Sequence, residues 1–126
     1  SDLDNSGGSP SDDNDGIFVE GATIRSTGMG TITLVGTATD GSDSDGVDMD
    51  SDSGGTAATI TSVAGAIAIT GNSTGTETGV EIQSGSVVTS TGTGPLAATI
   101  TIATISNCQG PTFISNSHLY ESTLPV

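Results

Sequence analysis

Nine aspartates fall in two short stretches: Asp12, Asp13 and Asp15, then Asp40, Asp43, Asp45, Asp48, Asp50 and Asp52. Carboxylates at alternate positions are the ligand chemistry of a hard cation. Ca²⁺ takes six to eight oxygens at about 2.3–2.6 Å. Residues 41–46 match positions 3, 5 and 6 of the helix–loop–helix calcium loop, with Asp52 at position 12, but Gly41 stands where that pattern places Asp. The earlier stretch has Ser11 at position 1 and Ala22 at position 12. Neither stretch is such a loop, and neither is a Gly-Gly-x-Gly-x-Asp nonapeptide. If the two lie one above the other, their carboxylates repel unless a cation bridges them. The candidate Ca²⁺ ligands are Asp13, Asp15, Asp43, Asp45, Asp48, Asp50 and Asp52. The alternative is an acidic, solvated surface that keeps a β-rich rod soluble.

Catalytic constellations are thin. His118 is the single histidine, flanked by Ser115 and Ser117 without an evident partner, and a surface or capping role outweighs a basic one. Asp48 and Glu81 could imitate a glycosidase pair, but Arg25 is the only strong base and aromatic platforms for sugar are scarce. The expectation is that the chain is not an enzyme. Cys108 has no partner for an internal disulfide and reads as a small apolar residue. Asn72-Ser73-Thr74 forms a glycosylation sequon.

The elements that must position these acids are visible as a repeat. Gly16-Ile17-Phe18-Val19-Glu20 returns as Gly46-Val47-Asp48-Met49-Asp50 and Gly79-Val80-Glu81-Ile82-Gln83. Each copy alternates aliphatic and variable positions, as a strand with one buried face does. Each is followed by a second short apolar run (around Ile24, Ile60 and Val88), a glycine turn, and a third run (31–36, 66–71 and 99–102). A period near 30 residues marks a repeat architecture. The predicted fold is all-β, a short right-handed parallel β-solenoid of about three coils, with a β-sandwich as the alternative. Stacking puts Ile17, Val47 and Val80 in one inward row and Val19, Met49 and Ile82 in another. Phe18, Asp48 and Glu81 then form an outward, exposed row, and glycines at the corners supply positive φ. Three coils fill residues 16–45, 46–78 and 79–106. Residues 1–15 read as an acidic lead-in resembling the loop that closes a coil, and residues 107–126 as a non-repeating cap or packing strand. Acid-rich loops enter Gly16 and Gly46, whereas Thr76-Glu77-Thr78 enters Gly79, so a metal site is expected in the N-terminal half.

Composition fits a thin β core. The net charge is −14, with no tryptophan, two phenylalanines and one tyrosine. That charge argues against nucleic acid and anionic membranes as partners. No apolar run approaches the length of a membrane span. The sequence opens at Ser1 without a charged-then-apolar leader, so the expectation is a processed chain or a segment of a longer one.

Thr89-Ser90-Thr91-Gly92-Thr93-Gly94, Gly30-Thr31-Ile32-Thr33-Leu34 and Gly79-Val80-Glu81-Ile82 resemble the β-strand repeats of large secreted bacterial adhesins and exoproteins of the filamentous-haemagglutinin-like kind. The resemblance covers residues 16–106. It implies a secreted or cell-surface rod for adhesion, matrix building or display, and it transfers no catalytic residue. Open coil ends imply end-to-end pairing with copies of the chain or with neighbouring repeats, giving a filament or fibre subunit. Surface or matrix glycans are further partners. The other functional readings are a calcium-stabilised surface-layer module and a carbohydrate-active β-helix enzyme.

Overall fold

The computed structural model describes residues 14–39, 44–74, 77–93, 98–106 and 118–120. The strands are β1 (Ile17–Glu20), β2 (Thr23–Ser26), β3 (Ile32–Ala38), β4 (Val47–Asp50), β5 (Thr59–Ser62), β6 (Ile67–Ser73), β7 (Val80–Ile82), β8 (Val87–Ser90), β9 (Ile100–Ser106) and β10 (His118–Tyr120). They assemble into three sheets in the orders β1-β4-β7, β10-β8-β5-β2 and β3-β6-β9, hereafter sheets A, B and C. Every pairing is parallel. Taking one strand from each sheet per turn, the chain winds a parallel β-solenoid of three coils. β10, from the segment beyond the repeats, adds a parallel strand beside β8.

The register is the one the repeated phrase implies. Ile17 pairs with Val47 and Val47 with Val80, while Val19 pairs with Met49 and Met49 with Ile82. Sheets B and C add the rows Ile24–Ile60–Val88, Ile32–Ile67–Ile100 and Leu34–Ile69–Ile102. These rows form one core. In the middle coil Val47, Met49, Ile60, Ile67 and Ile69 are wholly buried. Each such side chain contributes about 1.5–3 kcal/mol of burial free energy. Inward serines are also satisfied: Ser62 Oγ donates to the Gly65 carbonyl at 2.6 Å, and Ser73 Oγ to the Ser44 carbonyl at 3.1 Å.

The glycine that opens each phrase has another role than the expected one. Positive φ occurs at Gly21, Gly55 and Gly85, and at Ser84, but not at Gly16, Gly46 or Gly79. These three stand where two backbones meet. A Cβ on Gly36 would run into the Gly46 carbonyl, and one on Gly71 into the Gly79 carbonyl. The missing side chain lets the corner before sheet A press against the strands of sheet C. The positive-φ residues serve the other corner, between sheets A and B, where Ser84 and Gly85 make a tight turn closed by the Ser86 amide donating to the Gln83 carbonyl at 2.9 Å.

Candidate metal centre

The corner between sheets C and A carries the acids. Its three equivalent entries are Asn14-Asp15-Gly16, Ser44-Asp45-Gly46 and Glu77-Thr78-Gly79. Backbone bonds clip them together, Gly16 N–H donating to the Asp45 carbonyl at 2.9 Å and Gly46 N–H to the Thr78 carbonyl at 3.2 Å. Side chains return the link in the opposite direction. Asp15 Oδ1 accepts from the Asp45 amide at 2.7 Å, and Asp45 Oδ1 accepts from the Thr78 amide at 2.9 Å and its hydroxyl at 2.6 Å. Each corner amide is thus received by a carboxylate of the preceding coil, and the series Asp15, Asp45 ends at Thr78.

Directly beside this ladder, Asp45, Asp48 and Glu81 bring ligand oxygens within 4.8 Å of one another. Asp48 and Glu81 are register partners on β4 and β7. The expectation of an exposed row fails here: Asp45 is 6% exposed and Asp48 only 7%, while Glu81 is half-buried and Phe18 remains exposed. Thr78 bonds to Asp45 here, and Gln83 reaches Asp48. The Gln83 amide donates to Asp48 Oδ1 at 3.4 Å.

Burial raises the proton affinity of this group. The Asp48 carboxyl is pushed up to about 7 by loss of water and by the charges of Asp15, Asp45 and Asp50, against the lowering effect of Gln83. Glu81 is pushed up to about 8 by burial, by a hydrogen bond with Asp45, and by Asp45, Asp48 and Glu77. A cation bound among the three carboxylates would offset their mutual repulsion, because an uncompensated buried charge is costly. The donor set is all oxygen and its charge is negative, so it fits a hard divalent ion; each carboxylate would supply one or two ligands.

The sequence-predicted ligands separate into distinct groups. Asp45 and Asp48 are in the cluster, and Asp15 anchors it through the Asp45 amide. Asp50 Oδ1 accepts instead from the Ser51 amide at 2.6 Å. Asp52 Oδ1 accepts from the Gly54 and Thr56 amides at 2.9 and 2.7 Å, folding its own turn, and these bonds, chiefly that from Thr56, lower its proton affinity. Asp13 and Asp43 lie outside the described residues. Glu81, expected in the outward, exposed row and not among the candidate ligands, completes the group. The cluster therefore joins the second and third coils and is not confined to the N-terminal half. Its signal was the shared row of Asp48 and Glu81.

Among the described residues no helix is long and apolar enough to cross a membrane. Comparison with protein-family models, curated proteins and solved structures finds no match to this chain.

Proposed function

We propose that this chain is an extracellular structural or adhesive module, a segment of β-solenoid rod that associates end to end with neighbouring repeats or with copies of itself at a cell surface or in a matrix. The observation that carries the reading is the buried acidic cluster placed across two coils. Asp45 and Asp48 stand at the entry and on the first strand of one turn of the solenoid and Glu81 on the next, so an ion held there acts as a clamp between turns. Ca²⁺ is the ion this donor set and an extracellular setting favour, because extracellular modules work with weak sites at millimolar calcium. This is the behaviour of a calcium-stabilised surface-layer module, and glycans on the cell surface or in the matrix remain candidate targets of the rod.

The glycosidase reading loses ground at the same place. Asp48 and Glu81 have the raised proton affinity of general acids, but Asp48 is almost fully covered, and a buried acid cannot protonate a sugar leaving group. We read the chain as non-enzymatic. The test is thermal unfolding at pH 8 in millimolar Ca²⁺ and in excess EDTA, with electron microscopy of the same samples. A midpoint raised by calcium, together with rods, supports the module. An unchanged midpoint removes the clamp, and uniform compact particles remove the rod.

A further inference from the structure

We infer that Asn72 is a site of N-linked glycosylation, and that the sugar is attached only before the first and third coils close on β6. The inference uses the extracellular part of the reading above and is independent of the rod.

The motif sets the chemistry. Asn72-Ser73-Thr74 is the one Asn-x-Ser/Thr triplet in the chain, and such triplets accept an oligosaccharide in secreted proteins. The other asparagines, Asn5, Asn14, Asn107 and Asn116, are followed two residues on by Gly7, Gly16, Gln109 and His118. The donor class is a glycosyl diphosphate on a lipid carrier. Asn72 Nδ2 attacks its anomeric carbon, so that an N–C bond forms and the C–O bond to phosphate breaks. The diphosphate leaves with the bonding pair, and the amide proton passes to a base of the transferase.

The fold puts this acceptor where a sugar can be carried. Asn72 is the last residue but one of β6. Its neighbours Gly71 and Ser73 are buried, so the alternation of the strand turns Asn72 outward. In its row it stands between Thr37 and Ile105, both exposed. Among the described residues no hydrogen bond occupies its side-chain amide.

The surrounding face gives the sugar a physical role. The outer face of sheet C, bounded by Thr33, Thr37, Thr101 and Ile105, carries no charged side chain, although the chain has a net charge of −14. Val35 and Ile105 on that face are 65% and 58% exposed. The outer positions of sheet A, by contrast, hold Glu20, Asp48, Asp50 and Glu81. An oligosaccharide at Asn72 would cover apolar side chains on the face that charge leaves unprotected.

Timing follows from the bonds of the same triplet. Asn72 is paired with β3 on one side and β9 on the other. Thr74 carries the hydroxyl that completes the motif, and the first coil already engages it. Its Oγ1 donates to the Thr39 carbonyl at 3.0 Å, and its amide donates to the Ala38 carbonyl at 3.1 Å. Ser73 Oγ donates to the Ser44 carbonyl. A transferase must draw the triplet into its own cleft, and the closed ladder prevents that. The unfolded chain is the substrate, and the folded chain carries the product outward.

The test has two arms. In the first, the full chain is secreted from eukaryotic cells behind a leader, with an unstructured tag bearing a control acceptor triplet. Peptide mass mapping should find a glycan at Asn72 that is lost in Asn72→Gln. The glycosylated chain should melt within about 5 °C of that variant, as an outward attachment allows. In the second arm, a single-subunit oligosaccharyltransferase and a lipid-linked oligosaccharide are given the purified, folded, unglycosylated chain. Transfer should be at least about tenfold slower than to the full chain unfolded by Met49→Asp/Ile60→Asp, two wholly buried positions remote from the triplet in sequence. An empty Asn72 beside a filled control triplet overturns the site. Transfer to the folded chain as fast as to the unfolded one overturns the timing. A glycosylated chain that melts more than about 5 °C below Asn72→Gln overturns the outward placement. Glycan mapping reads neither calcium response nor rod formation, so failure here is distinguishable from failure of the module reading.

Discussion

Stability should fall as pH rises from 5 to 9 in the absence of divalent cations, and calcium should remove that dependence. Asp48 has a folded-state pKa of about 7, above its ordinary 3.8, and Glu81 one of about 8, above 4.5. A carboxyl whose folded pKa is raised binds its proton more tightly in the native state. Its contribution is fully present below the unfolded pKa and is lost as pH climbs to the folded pKa. Between pH 5 and 7 Asp48 traverses about two units of that window, or about 2.7 kcal/mol at about 1.36 kcal/mol per unit. Glu81 is half in solvent, so screening reduces its share, and the two titrate as a coupled pair. A total of about 3 kcal/mol is a reasonable scale, which for a chain of this size corresponds to a fall of roughly 10 °C in midpoint. An ion bound only by the folded state restores about 2.7 kcal/mol when present at a hundred times its Kd. The assay is circular dichroism melting at pH 5, 7 and 9, in EDTA and in 5–10 mM CaCl₂ (about five to a hundred times the Kd of a weak extracellular site). The double variant Asp48→Asn/Glu81→Gln should show a flatter profile in EDTA and no calcium response. A natural chain whose midpoint in EDTA is as high at pH 9 as at pH 5 would refute the buried, proton-sharing cluster.

Three further outcomes test the scaffold around the cluster. Ile69→Ala removes a wholly buried side chain from the middle coil and should destabilise by about 2–5 kcal/mol in urea unfolding, with no change in the m-value. Gly71→Ala drives a methyl into the Gly79 carbonyl; overpacking against backbone should cost about 1–3 kcal/mol or more, whereas Gly28→Ala, with open space around it, should cost under about 0.5 kcal/mol. Thr78→Val deletes the hydroxyl that donates to Asp45 Oδ1 and should lower stability by about 1–3 kcal/mol, read from paired melts.

The core rows were legible in the sequence for a simple reason. A strand with one buried face has a period of two, and a solenoid repeats its corners, so Gly16, Gly46 and Gly79 set the register for Ile17, Val47 and Val80 without any knowledge of the loops. The same glycines were misread in one respect. Sequence gives the residue type that a corner demands, but positive φ and close backbone approach demand the same residue, and only the packing of Gly46 on Gly36 and of Gly79 on Gly71 separates them.

The acidic site was legible in composition and not in membership. Local spacing drew Asp50 and Asp52 into it, yet both carboxylates are used by neighbouring amides. It left out Glu81, which lies 36 residues beyond Asp45 but within 4.8 Å of it. What the sequence alone determines is the ladder: three strands per turn, the apolar rows, and Asp48 above Glu81, because these follow from a repeated short-range pattern. What only the tertiary structure decides is that the outer face of sheet A is covered at this corner. Bonds from Thr78 to Asp45 and from Gln83 to Asp48 take part in that covering, which leaves Asp48 buried, Glu81 half-buried and a third carboxylate, Asp45, beside them.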